Sequence, residues 1–227
     1  MPTHKESSTA NASSILVLNP NSSSEVTQAI ESVVKSFDGL EIRVDQIDDA
    51  PRTIESSEDH AVVVPLVLRR LKEVTEDVVI IACHGDPGVF ESQQSGRPRV
   101  IGIGESSMLV ACALGGQFGI ITLGSELIAR KWAQVERYRL NGRCAGVVAS
   151  ETGVLHGLSA KPIIDPYIDA GRRLIDSGAS SIILGCAGMT RAQSAVQDKL
   201  GVIVIDPIRA AIGITLGLPD HLPAQSY

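Results

Sequence analysis

A chain of 227 residues has room for one large domain or two small ones. With 44% hydrophobic and 20% charged residues it has the apolar content of a packed core, which excludes a disordered protein. A net charge of −6 excludes a general nucleic-acid binder, which needs a basic face. Aromatic residues make up only 3%, so the core must be built from Val, Ile, Leu and Ala, a composition that suits buried parallel strands under helices. Four cysteines, Cys83, Cys112, Cys144 and Cys186, form no CxxC pair and no zinc-finger spacing, and are too sparse for a disulfide scaffold. Met1–Ser14 is polar and lacks the apolar stretch of a secretory signal, and no apolar run reaches the ~18 residues of a membrane helix. A soluble protein in a reducing, cytoplasmic setting is expected, with no membrane or nucleic-acid partner.

Residues 1–14 read as a disordered tail. Ile15–Asn19 is a short apolar strand ending in the turn Asn19-Pro20-Asn21. Ser22 and Glu25 have capping-box spacing, which makes Ser22 the expected N-cap of a helix whose buried face carries Val26, Ile30, Val33 and Phe37. Leu40–Gln46 alternates as a strand does. Ala61–Val74 reads as a helix that Pro65 either starts or kinks. Val78–Ala82 is a buried strand that delivers Cys83 at its end. A Gly/Pro-rich loop follows, then a strand Arg99–Ile103 and a helix from Ser106 to Leu114. The pattern then restarts: a strand Phe118–Thr122, a helix from Gly124-Ser125 to Tyr138, a strand Cys144–Ala149 and a helix Pro166–Ser177. The strand Ser181–Leu184 delivers Cys186, and the strand Val202–Ile205 and the helix Pro207–Leu216 close the chain.

Strands alternating with helices define an α/β fold with parallel sheets and right-handed crossovers. The chain reads as doubled. Ile80-Ile81-Ala82-Cys83 and Ile183-Leu184-Gly185-Cys186 each set a thiol just beyond an apolar strand, about half a chain apart. Asn19-Pro20-Asn21-Ser22 and Thr122-Leu123-Gly124-Ser125 each follow the first strand of a half. Two pseudo-symmetric lobes are expected, one from residues 15–114 with 206–227 and the other from 115–205. Ligands of open α/β sheets bind at the strand ends, so the site is expected in the cleft between the lobes.

A thiol at a strand end meets backbone N–H groups and a positive dipole end, which predicts a lowered pKa and an enriched thiolate. Two such thiols across a cleft suit inversion of a carbon acid. Removing a proton beside a carbonyl leaves a planar enolate, and returning one to the opposite face inverts the centre. One base is then needed on each side. The bland alternative is that both are small buried apolar residues, the usual fate of free cysteine.

The runs Ala82-Cys83-His84-Gly85-Asp86-Pro87-Gly88 and Leu184-Gly185-Cys186-Ala187-Gly188-Met189 resemble the two cysteine motifs of the hydantoin/allantoin racemases, within the aspartate/glutamate racemase superfamily. Asn19-Pro20-Asn21-Ser22, Val100-Ile101-Gly102-Ile103-Gly104-Glu105 and Phe118-Gly119-Ile120-Ile121-Thr122 are similar to the same family, so the resemblance spans residues 14 to 216. It implies catalysis without a cofactor, with Cys83 and Cys186 as paired acid and base. The Cys-Asn-Thr and Cys-Thr-His motifs of glutamate racemases are absent, which favours a cyclic ureide over a free amino acid. His84 stands where bacterial hydantoin racemases are expected to have Phe. The substrate is a small molecule, and a homo-oligomer is expected.

Substrate-binding candidates are Asn19 and Ser22, His84 and Gly85, Glu105, Thr122, and Ala187 with Gly188. Asn19, at the strand end, is favoured over its neighbours for ligand contact, and Thr122 holds the equivalent place in the second half. Gly85-Asp86-Pro87-Gly88 is a type II turn former, with Asp86 read as a loop residue rather than a catalytic group. His84 reads as a surface or lid residue. Glu105 reads as capping a helix or orienting a loop. Gly102-x-Gly104 is a broken dinucleotide fingerprint without its third Gly. Cys112 and Cys144 read as core residues. His4 and His221 read as solvated, and His60 and His156 lack partners at metal-ligand spacing, so no metal site is expected. None of the six lysines lies in a cofactor motif. The loop Val89–Pro98 reads as a lid that shapes substrate choice. The leading function is cofactor-independent racemisation of a 5-substituted hydantoin or allantoin at C5. The alternatives are an amino-acid racemase, a maleate isomerase-like or decarboxylase-like activity, or a non-catalytic ligand-binding or redox-sensing protein.

Overall fold

The computed structural model describes residues 14–92, 98–153 and 164–218. Most of the expected tail, the middle of the expected lid, and His4, His156 and His221 lie outside the described residues. Strands β1 (Ile15–Asn19), β2 (Ile42–Gln46), β3 (Val78–Ile81) and β4 (Arg99–Gly102) form a parallel sheet in the order β2-β1-β3-β4. Strands β5 (Gln117–Thr122), β6 (Cys144–Ala149), β7 (Ala179–Leu184) and β8 (Ile203–Ile205) form a second in the order β6-β5-β7-β8. The two halves therefore repeat one topology, as the doubled sequence predicts.

The central strands read as unbroken apolar runs because both of their faces are covered. Val17 and Ile80 of the first sheet share one core with Ile182 and Leu184 of the second, closed by Ile30, Tyr167 and Ile208 from helices. Leu16, Leu18, Val79 and Ile81 face the other way, onto Val63 and Val67. Phe118, Ile120 and Ile183 do the same in the second sheet, onto Met108, Ala111 and Val135. Full burial of each such side chain contributes roughly 1.5–3 kcal/mol. The shared core fixes the sheets against each other, and with them the ends of β3 and β7.

Helix α1 (Ser24–Val34) buries Val26, Ile30 and Val33, as the periodicity predicts, and Ala29 with them; the expected Phe37 lies beyond its end, partly buried against the same core. Its N-cap is Ser23, one residue beyond the expected Ser22. The Asn21 side-chain oxygen accepts the Ser23 N–H at 2.9 Å, and this local turn delays the helix. Helix α2 (Ser57–Leu71) starts earlier than expected because Ser56 and Asp59 form a reciprocal capping box, and Pro65 lies inside it. After the short α3 (Val89–Ser92), α4 (Ile103–Ala113) also starts before the expected Ser106. Helix α5 (Ile128–Arg137) follows a 3₁₀ turn at Ser125–Leu127, and α6 covers Asp165–Asp176. Helix α7 (Gln193–Leu200) was not anticipated, because it buries only Val196 and so shows no apolar period. Asp206 caps α8 (Pro207–Gly217) through the N–H groups of Ile208 and Arg209. No helix among the described residues is long and apolar enough to cross a membrane.

Candidate active site

Pairing of β1 with β3 ends with the Ala82 N–H donated to the Leu18 carbonyl, and Cys83 comes next. In the second sheet Gly185 donates to the Ile121 carbonyl, and Cys186 comes next. A side chain at Gly185 would press on that carbonyl, so the step before the second thiol is bare. Cys83 and Cys186 are both half-buried, both unbridged, and both line one cavity. Gly188 donates its N–H to Cys186 Sγ at 3.4 Å, and the backbone of Gly85, likewise two residues ahead, pulls the Cys83 pKa down. The doubled sequence thus yields a doubled thiol environment.

The expected lowering of the thiol pKa is reversed. Burial pushes both thiols up, Cys186 to about 11, although the N–H groups and the nearby Lys131 pull the other way. Loss of hydration outweighs two backbone dipoles.

Two cations from α5 line the same cavity. Arg130 donates Nη1 to the Ser56 carbonyl at 2.9 Å, and Lys131, only 6% exposed, sets its Nζ 2.8 Å from His84 Nδ1. Burial lowers the Lys131 pKa to about 8, against the favourable pull of Cys83, Asp86 and Cys186. His84 is 1% exposed, not a surface or lid residue. Burial and the Lys131 charge hold its imidazole neutral, with a pKa well below the ordinary value. Its other nitrogen lies 3.3 Å from Ser107 Oγ, whose own proton goes to the Gly104 carbonyl at 2.8 Å. The Nε2–H tautomer satisfies the whole chain, leaving Nδ1 as acceptor for Lys131.

Asp86 is not merely a loop former. Its turn exists as expected, with Val89 N–H donated to the Asp86 carbonyl and Gly88 at φ +78°. But the side chain is buried and accepts the N–H groups of Gly104 and Glu105, both at 2.8 Å, the Tyr138 hydroxyl at 2.8 Å and Gln134 Nε2 at 3.1 Å. It caps α4 from outside the helix, which explains the early start of α4 and the pair Gly102-x-Gly104. A Cβ at either glycine would collide with Asp86. The broken fingerprint is a docking face for a carboxylate. Burial nevertheless lifts the Asp86 pKa to about 6.

Of the binding candidates, His84, Gly85 and Ala187 line the cavity, and Gly188 reaches it through its bond to Cys186. Asn19 does not. Its amide is spent on Asn21, Ser23 and Thr27, and Asn21 lines the cavity in its place. Ser22, Glu105 and Thr122 also lie off the cavity wall. Ser22 gives its N–H to the Pro51 carbonyl, and Glu105 sits in the first turn of α4. Thr122 Oγ1 is buried without a partner. His60 donates Nε2–H to the Gly85 carbonyl at 3.3 Å. Phe90, in the expected lid, is exposed beneath the Arg137 guanidinium. Val26, Ile54, Leu123 and Leu127 form the apolar wall. Cys144 is buried in the core of the second sheet, and Cys112 is half-buried against it. No cluster of His, Cys, Asp or Glu among the described residues is arranged to hold a metal ion.

Two matched α/β halves thus present two thiols to one cavity. A family model described as Asp/Glu/Hydantoin racemase matches residues 15–215; the chain belongs to that family and is an isomerase of the racemase type. It is 30% identical over 205 residues to a hydantoin racemase of Pseudomonas sp. (strain NS671), covering 87% of this chain and 82% of that protein. A hydantoin racemase of Paenarthrobacter aurescens is 28% identical over 212 residues, 90% of each chain. Among solved structures, an allantoin racemase from Klebsiella pneumoniae superposes with a TM-score of 0.83 at 27% identity, over 90% of this chain and 86% of that one.

Proposed function

We propose that this racemase inverts C5 of a 5-substituted hydantoin or of allantoin, with Cys83 and Cys186 as its two bases. The observation that carries this reading is the pair of thiols lining one cavity from equivalent strand ends. One cysteine acts as thiolate and takes the C5 proton. The C–H bond breaks, an S–H bond forms, and the electron pair moves onto the adjacent ring carbonyl as an enolate. The other cysteine, a thiol, gives its proton to the opposite face and becomes the thiolate. Nothing is oxidised or reduced, so the step needs no redox cofactor.

The reaction starts from one thiol and one thiolate. Burial opposes the thiolate, and Lys131 and Arg130 favour it. The same cations and the strand-end N–H groups suit the negative charge that develops on the ring oxygen. The apolar wall of Val26, Ile54, Leu123 and Leu127 receives the ring substituent. The test is circular dichroism on each pure enantiomer of allantoin, 5-methylhydantoin and 5-benzylhydantoin, corrected for spontaneous racemisation. The signal of at least one pair is expected to decay to zero while the NMR spectrum stays that of the starting compound. Retained signal with all of them, alongside decay of a free amino acid, would assign the chain to another branch of the superfamily.

A further inference from the structure

Lys131 is a buried cation with no acid bonded to it among the described residues. Its one hydrogen-bond partner among them is neutral, His84 Nδ1 at 2.8 Å. The carboxylate whose charge acts on it, Asp86, is already filled by Gly104, Glu105, Gln134 and Tyr138. A charge held this way is unfavourable unless the cavity supplies an anion. The groups that face Lys131 are Cys83, His84 and Asp86 from the loop after β3, Cys186 from the end of β7, and Arg130 on its own helix. Of these, only the two cysteines lack a full set of partners and can become anionic at the cavity wall.

His84 is built to present a lone pair and nothing else. Its Nε2–H is bound through Ser107 to the Gly104 carbonyl, so Nδ1 can only accept. We propose that Lys131 is the counter-cation of the reactive thiolate, and that His84 is the positioning residue that holds it at the cavity wall. This rests on the reading of the two cysteines as the bases. One ammonium lining a cavity shared by two thiols stabilises a thiolate on either of them, which is what an enzyme that alternates its base requires.

The test reads the thiols rather than turnover. The rate of iodoacetamide alkylation at Cys83 and at Cys186 is measured against pH by peptide mass spectrometry, with Cys112 as internal reference. The variants are Lys131→Met, Lys131→Arg, His84→Phe and His84→Asn, each checked by circular dichroism. Lys131→Met is expected to slow alkylation of both thiols about tenfold at pH values below about 8, where Lys131 carries its charge. His84→Phe should slow them in the same way, while Lys131→Arg, which keeps the charge, and His84→Asn, which keeps an acceptor, stay near wild type. Unchanged rates below about pH 8 in folded Lys131→Met would overturn the proposal, and if that variant does not fold, His84→Phe is judged by the same criterion. An equal slowing in Lys131→Arg would also overturn it, because charge would not be what acts. Wild type that alkylates as expected but racemises no hydantoin would sink the functional reading alone.

Discussion

The carboxylate of Asp86 accepts the backbone N–H of Gly104 at 2.8 Å, and a side chain at Gly104 would collide both with it and with the His84 carbonyl. This one contact joins the loop behind Cys83 to the start of α4. Gly104→Ala should therefore destabilise the fold by about 1–3 kcal/mol, the usual penalty of overpacking. It should also displace His84 and lower activity beyond the stability loss. Urea denaturation with rates measured at a temperature where both proteins are folded checks this. An unchanged midpoint would mean that the loop moves freely.

Burial of Asp86 links stability to pH. Its folded pKa of about 6 lies above the ordinary carboxylate value. The folded state therefore holds a proton that the unfolded chain has released, and the stability this contributes is full at low pH and lost as pH rises through about 6. The stability of wild type relative to Asp86→Asn should fall as pH rises from about 4 to 6 and then level off. Thermal melts of both proteins at matched ionic strength measure it. A difference independent of pH would contradict the account.

The site chemistry fixes a pH profile. On the proposed mechanism, activity needs one thiolate from thiols that burial has pushed up, and a protonated Lys131 whose pKa is about 8. The value of kcat/KM should rise with pH from the acid side and bend over near the Lys131 pKa. Lys131→Arg, whose cation does not titrate, should move the bend to higher pH. A profile that bends at the same pH in both proteins would remove Lys131 as its cause.

Cys112 and Cys144 stand away from the cavity, so Cys112→Ser and Cys144→Ser should racemise at wild-type rates. Cys144 is buried in the core, and a hydroxyl there loses about 1–3 kcal/mol of stability without a new partner. Rate and unfolding midpoint on each variant separate the two effects. A large loss of rate in folded Cys112→Ser would show a thiol role that the cavity does not account for.

The strands and both thiols were legible in the sequence because each is a local pattern, an apolar run followed by a small or polar step. Ser23 and Asn21 were missed by one and two residues because a side-chain turn at Asn21 shifts the cap and faces Asn19 inward. Asp86 was underread because the helix it caps lies 18 residues on, a contact only the folded chain makes. The pair Gly102-x-Gly104 was its trace. Lys131 was missed although a signal existed. It falls on the face of α5 that carries Ile128 and Val135 and is continued by Tyr138 at the C-cap, and a lysine on such a stripe is buried with a purpose. That the face opens on the cysteines depends on how the two sheets pack, which no local pattern encodes.

The two-base claim is tested most directly by hydrogen exchange at C5 in deuterated water, followed by NMR for each pure enantiomer. With wild type, both enantiomers should exchange and racemise. In Cys83→Ser the hydroxyl is too weak a base near neutrality, so net racemisation should collapse while Cys186 still exchanges one enantiomer with retention. Cys186→Ser should show the opposite preference. Equal residual exchange of both enantiomers by either single variant, corrected for the spontaneous rate, would contradict the account and point to a single base.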